Sequence, residues 1–384
     1  MDYVVNHWSL EHYMIKDLPA ADWINQWDTY TETSHAKEIF TDPYAAESDV
    51  KLLIDGWFVE SMADLNQKQP QLLSYLTQNA IWWVEYADLS GYRVDTYPYN
   101  SRDEITQWTK AIMDEYPNFS IVAESWVINP IHLSYWQKDS PIAAMSGFNS
   151  QVTHVKDFAL FAAVQDIYQG DTPWWEQKMN KIYKVFQNDF VYANPNDLIV
   201  FLENHDTSRI NEIASEFYQY KLMTTLLATV RGVPQTYYGT EINMRGAKEK
   251  GDADLRRDFP GGWPSDTRTA FNKAGRTEVE NNYFDFTAQL FNWRKNEPVI
   301  HFGKTMHYAP QNEVYVYFRY TDNKTIMVVL NANDEDQTLN MQRFNQRIGS
   351  AQMGKDVFSD AVTPLTGQLP IPANSAKIIS FNTP

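Results

Sequence analysis

The stretch GYRVDTYPY (Gly91–Tyr99) decides the reading of this chain. An alternating apolar run ends abruptly in Asp95. Period-two alternation places Arg93 and Asp95 on one face of the expected strand. Two further segments follow the same plan: IVAESWV (Ile121–Val127) ends in Glu124, and FLENHDTSR (Phe201–Arg209) carries Asp206. Acids at the C-terminal tips of successive strands imply one floor with three acidic groups, the face on which parallel α/β barrels hold their chemistry. Convergent carboxylates are the equipment for cleaving glycosidic bonds. Each acid alone has a plainer reading: a structural ion pair for Asp95, a solvent-exposed strand end for Glu124, a helix N-cap at Asp206 or Thr207. The three together make chance placement a poor account.

Outward from these segments the pattern alternates. Gln71–Leu89 suits an amphipathic helix, with Gly91 ending it, and Ser101–Tyr116 suits a second. VTHVKDF (Val152–Phe158) reads as a weak strand, and Asp171–Gln187 as a helix. Leu198–Asn204 is a buried strand, Ile210–Val230 a helix, and Gly232–Gly239 the next strand with its turn. Alternation of this kind predicts a parallel sheet with right-handed crossovers. Trp8 to about Pro70 is a long irregular region rich in aromatics and acids, the kind of loop that carries function. Asn282–Asn296 is a last helix. After Glu297-Pro298 the period becomes two, in VYVYFRY, TIMVVLN and AKIISF, with turns between them. The expected division is residues 1–297 as the barrel portion, with an inserted loop domain over about 8–70, and 298–384 as an all-β domain.

The 384 residues are 43% hydrophobic, enough for a large core and more than one domain. The net charge of −17 opposes binding to nucleic acid or anionic membrane. No run reaches the apolar length of a membrane span. With no cysteine, disulfides, thiolate catalysis and Cys-ligated zinc are excluded, while cytoplasm and periplasm stay equally open. Aromatics are 15% of the chain, split in expectation between core filling and faces for sugar rings.

The acid-tipped segments resemble the conserved regions of the α-amylase superfamily of glycoside hydrolases. GYRVDTYPY is similar to the strand-four motif, AESW to strand five, FLENHD to strand seven and RGVPQTYYGTEI (Arg231–Ile242) to strand eight. MDYVVNH (Met1–His7) resembles strand three, and SMADLNQ (Ser61–Gln67) the MPDLN-type signature with Ala63 in place of Pro. LRRDFPGGWP (Leu255–Pro264) and SLEHYMIKDLP (Ser9–Pro19) resemble the neopullulanase and cyclomaltodextrinase branch in its Bacteroides-type periplasmic form.

The resemblance implies a (β/α)8 TIM barrel followed by a C-terminal antiparallel β-sandwich. It implies a retaining enzyme acting on starch-derived oligosaccharides, pullulan or cyclodextrins, with Asp95 as nucleophile, Glu124 as general acid/base and Asp206 stabilising the transition state. The two reacting carboxyls would lie about 5–5.5 Å apart. His7, Arg93, His205 and Arg209 would hold the sugar. No cofactor is required, although Asn6 occupies a position that binds calcium in many relatives. The strand-three motif stands at residue 1, so the resemblance implies that the first two barrel strands lie outside this chain. Six strands would leave two open edges, with homo-oligomerisation and weak activity as consequences. Periplasmic placement follows from the branch resembled. The competing readings are a related transglycosylase and a non-catalytic glucan-binding protein or inactive fragment on the same scaffold.

Overall fold

A computed structural model describes residues 1–383 except 171 and 174. Packing divides it into two compact units, residues 1–159 with 188–199, and residues 160–187 with 200 onward.

In the first unit, four strands form an all-parallel sheet in the order Asp2–Val4, Gly91–Asp95, Ser120–Ala123, His154–Val155. Register sets the rows that matter: Asp2 lies opposite Arg93, and Val94 opposite Ala123. The ladder runs one step further, because Glu124 N–H donates to the Val94 carbonyl at 2.9 Å. Asp95 and Glu124 therefore leave neighbouring strands at the same height. Register puts Val94, Ile121, Ala123 and Val155 on one face, where they are almost wholly buried, while Arg93, Asp95 and Val122 on the other face are only half-buried. Helices Pro70–Ala87 and Arg102–Glu115 supply the crossovers. Leu72, Leu76 and Ala80 of the first pack in one core with Ile105, Trp108 and Ile112 of the second. The first helix ends on Asp88, which takes the left-handed conformation at φ +50°. Gly91 is instead the first strand residue. A Cβ there would stand 2.6 Å from the Ser120 carbonyl oxygen, so glycine permits close strand approach rather than stopping the helix.

The region after Trp8 has internal order that a period search does not reveal. His7–Ser9 pairs antiparallel with Met62–Asp64, and Glu47–Asp55 forms a helix between them. VTHVKDF contributes only His154–Val155 as a strand, and an unexpected helix, Phe158–Gln169, follows. The helix expected from Asp171 runs over Met179–Phe186; Asp171 itself lies outside the described residues.

In the second unit, Ile210–Ile213 and Phe217–Thr229 are separate helices. The second starts with a reciprocal cap between Glu216 and Gln219. Strand Val233–Gln235 pairs with the strand Ile199–Phe201. Helix Glu278–Lys295 opens with a second such cap, Thr277 with Glu280. The tail forms a six-stranded antiparallel sheet in the order Val362–Pro364, Met353–Asp356, Ser375–Asn382, Lys324–Asn331, Val314–Tyr320, Lys304–Gln311. A two-stranded pair, Gln337–Asn340 with Gln368–Ile371, shares its core through Leu339, Leu369 and Ile371. Among the described residues no helix is long and apolar enough to cross a membrane.

Candidate active site

Strand Gly91–Asp95 delivers Arg93 and Asp95 to one face, as the alternation requires. The Arg93 guanidinium pairs with the Asp95 carboxylate and also reaches both oxygens of Asp2, at 3.0 and 3.1 Å. Burial works against the Arg93 charge, but Asp95, Asp2 and Glu124 outweigh it and raise its pKa. The pair is thus more than a two-member bridge: one cation serves three carboxylates.

Glu124 is 6% exposed. Desolvation raises its pKa and nearby Asp95 adds to the rise, against the opposing pull of Arg93, Lys156 and the Thr96 N–H. That N–H donates to Glu124 Oε2 at 3.1 Å. Thr96 can offer it because the chain turns there through the left-handed region, at φ +47°. A non-glycine residue held in that region marks a constrained turn. The Trp126 indole stacks on Phe158, with ring centroids 5.0 Å apart.

His7 is buried and lies nearly parallel to Phe58, with centroids 5.1 Å apart. Desolvation lowers its pKa, and Asp95 pulls the other way. His7 Nδ1 lies 3.0 Å from Asn6 Oδ1. The Asn6 amide nitrogen donates to Asp64 Oδ1 at 3.0 Å and to the Tyr99 carbonyl at 3.3 Å. Protein groups thus meet both ends of this carboxamide. Among the described residues no cluster of three or more acidic or imidazole side chains is arranged around a metal position.

Two lysines in this unit had no place in the sequence reading. Lys37 comes from the irregular region. Burial lowers its pKa, while Glu124 and Glu38 favour its charge. Lys156 is 3% exposed and acts electrostatically on Glu124. A lysine closing the apolar run of VTHVKDF is a signal that could have been noticed. Lys37 has none, because its loop follows no period.

In the second unit, His205 and Asp206 form the expected pair, with Nε2 3.0 Å from Oδ2. Arg256, from the LRRDFPGGWP segment, contacts the other oxygen of Asp206 at 2.7 Å and the His205 carbonyl at 3.0 Å. Neither Asp206 nor Thr207 caps the following helix, whose N-cap is Arg209. Arg209 is placed differently from expectation. It has no exposed surface, donates to the Leu255 carbonyl at 3.0 and 2.8 Å and to the Tyr238 carbonyl at 2.5 Å, and lies over the Tyr237 ring. A sugar cannot reach it there. Its guanidinium instead ties loop backbone together and faces buried Glu203 at 3.7 Å. Burial pushes Glu203 up to about 7, against hydrogen bonds from Thr240 and Ile210 and the charge of Arg209.

Comparison with known proteins agrees with this architecture. Residues 1–325 match the family described as "Alpha amylase, catalytic domain", and residues 305–380 match "Cyclo-malto-dextrinase C-terminal domain". A cyclomaltodextrin glucanotransferase of Bacillus licheniformis is 26% identical over 289 residues, which is 74% of this chain and 36% of that protein. "Alpha-amylase 2" of Dictyoglomus thermophilum is 22% identical over 290 residues, 74% of this chain and 46% of that protein. The chain thus spans between about a third and a half of the length of these curated relatives. Among solved structures, the α-amylase of Geobacillus thermoleovorans superposes with a TM-score of 0.77 at 21% identity, over 99% of this chain and 76% of that one. A cyclomaltodextrinase gives 0.73 at 18% identity, over 99% and 60%.

Proposed function

The chain belongs to the alpha-amylase family, and from that premise we propose that it hydrolyses α-1,4-glucosidic bonds in starch-derived oligosaccharides, cyclodextrins or pullulan with retention at the anomeric carbon. The observation that carries the reading is the contrast between two acids at the same height on adjacent strands. Asp95 is paired to a cation, as a nucleophile requires, while buried Glu124 has its pKa raised, as a general acid requires.

In the proposed reaction, an Asp95 oxygen attacks C1 of the sugar. The C1–O bond breaks as the Glu124 proton passes to the leaving oxygen. Glu124, now a carboxylate, takes a proton from water; the water oxygen attacks C1 and releases Asp95. Asp206 is assigned the third role, bonding sugar hydroxyls as positive charge grows on the ring, with His205 beside it. His7 and Arg93 are assigned to sugar binding and to support of the nucleophile. Arg209 is assigned to positioning the loop that carries Asp206. No step uses a metal or cofactor. The neopullulanase-like preference draws support from the cyclomaltodextrinase-type tail, and periplasmic placement belongs to the same reading.

A transglycosylase is the second reading, favoured by the resemblance to cyclomaltodextrin glucanotransferases. It differs only in what attacks the glycosyl-enzyme. Incubation with maltoheptaose, β-cyclodextrin and pullulan, followed by proton NMR of the first product, tests both. An α-anomer without acceptor-built products supports hydrolysis, products longer than the substrate support transfer, and a β-anomer overturns retention. No turnover of any substrate overturns the activity.

A further inference from the structure

The carboxamide of Asn6 is oriented by chemistry. Its nitrogen end faces the Tyr99 carbonyl, which can only accept, at 3.3 Å, and a carboxyl oxygen of Asp64 at 3.0 Å. Reversal would set the amide oxygen against the Tyr99 carbonyl in a buried place, where Asn6 is 1% exposed. Asp64 is itself fixed, since its second oxygen accepts from the Asn25 amide at 2.7 Å. With the nitrogen so placed, Asn6 Oδ1 must face His7 Nδ1, 3.0 Å away. An oxygen that only accepts demands a proton on that nitrogen.

We propose that Asn6 is a positioning residue that locks His7 as the Nδ1–H tautomer, which leaves Nε2 bare as a hydrogen-bond acceptor for a sugar hydroxyl. Asp64 and the Tyr99 carbonyl act behind it, through Asn6. Among the described residues Nε2 forms no hydrogen bond, and stacking on Phe58 holds the ring plane. Desolvation keeps the ring neutral, so a hydroxyl meets a lone pair and not an N–H. A site built this way selects a sugar that donates at this point and rejects one whose hydroxyl is methylated or absent. The tautomer follows from the geometry alone; its use on a sugar rests on the glucosidase reading above.

The test is nitrogen NMR of the 15N-labelled full chain near neutral pH, with the His7 signals assigned by their loss in His7→Gln. Nδ1 should show a protonated-type shift and Nε2 an unprotonated-type shift. The opposite pattern in the wild-type protein overturns the proposal without any variant. In Asn6→Ala, the signals should move toward Nε2–H, with kcat/KM lower by on the order of tenfold, the scale of one neutral hydrogen bond. An Asn6→Ala protein that folds and keeps the wild-type tautomer also overturns it. Because the tautomer is read without substrate, a chain with the expected spectrum and no turnover counts against the glucosidase reading alone.

Discussion

Arg93 and Arg209 each face a carboxylate, and the sequence gives little reason to treat them differently. Arg93 is partly exposed and serves Asp95 and Asp2 directly. Arg209 is sealed, spends its donors on the Leu255 and Tyr238 carbonyls, and meets Glu203 only at 3.7 Å. Water and the number of charged neighbours decide what each pair does. In the first, several acids surround one cation at the edge of solvent, an arrangement that leaves the carboxylates accessible. In the second, burial outweighs the cation, and the Glu203 carboxyl is pushed up to about 7. The first pair suits chemistry and the second suits architecture.

The largest effect that sharpens this contrast is Asp95→Asn. It should lower hydrolysis of maltooligosaccharides by about three orders of magnitude or more while leaving their binding intact, since it removes the nucleophile at nearly constant shape. Activity within tenfold of wild type, measured by reducing-sugar release, would break the assignment. Glu124→Gln belongs beside it. The loss on natural glucosides should be on the order of 10²–10⁴-fold and much smaller on aryl glycosides whose leaving group needs no proton. Equal losses on both substrates would contradict the acid role.

Arg209→Met should act on stability. Leaving Glu203 buried without its cation should cost about 3–5 kcal/mol in denaturant unfolding, and the double variant with Glu203→Gln should recover part of it. A neutral outcome for the single variant would place Arg209 with the exposed pairs after all.

The smallest effect is a pH dependence. The folded pKa of Glu203, about 7, stands above the ordinary carboxyl value of 4.5, so the folded state holds a proton that the unfolded chain has lost in between. Stability from this group is complete below about pH 4.5 and is lost as pH rises through about 7. The span is worth about 3 kcal/mol. Glu203→Gln should remove that slope from a plot of unfolding free energy against pH. An unchanged slope would show that other groups produce it.

How much of this was legible in the chain can be read from particular residues. Asp95 and Glu124 were legible because a strand has a period of two and ends where its apolar run ends. Arg93 was legible because it stands two positions before Asp95, on the same face. The antiparallel tail was legible for the same reason. Gly91 was misread: next to a helix end it looks like a stop, and only the Ser120 carbonyl across the sheet shows what it is for. Helix Phe158–Gln169 was missed because its opening apolar run, FALFAAV, offers no polar face to set a period.

What the sequence by itself determined is therefore the order of elements and the placing of acids at strand ends, both properties of neighbours along the chain. Only the tertiary structure decided which charges are buried, that Arg209 is out of a sugar's reach, that Lys37 and Lys156 act on Glu124, and which way the Asn6 amide points. Those outcomes depend on desolvation and on hydrogen-bond partners brought from distant segments. Asp64 stands 58 positions from Asn6, and Tyr99 stands 93. No local pattern records a contact of that separation.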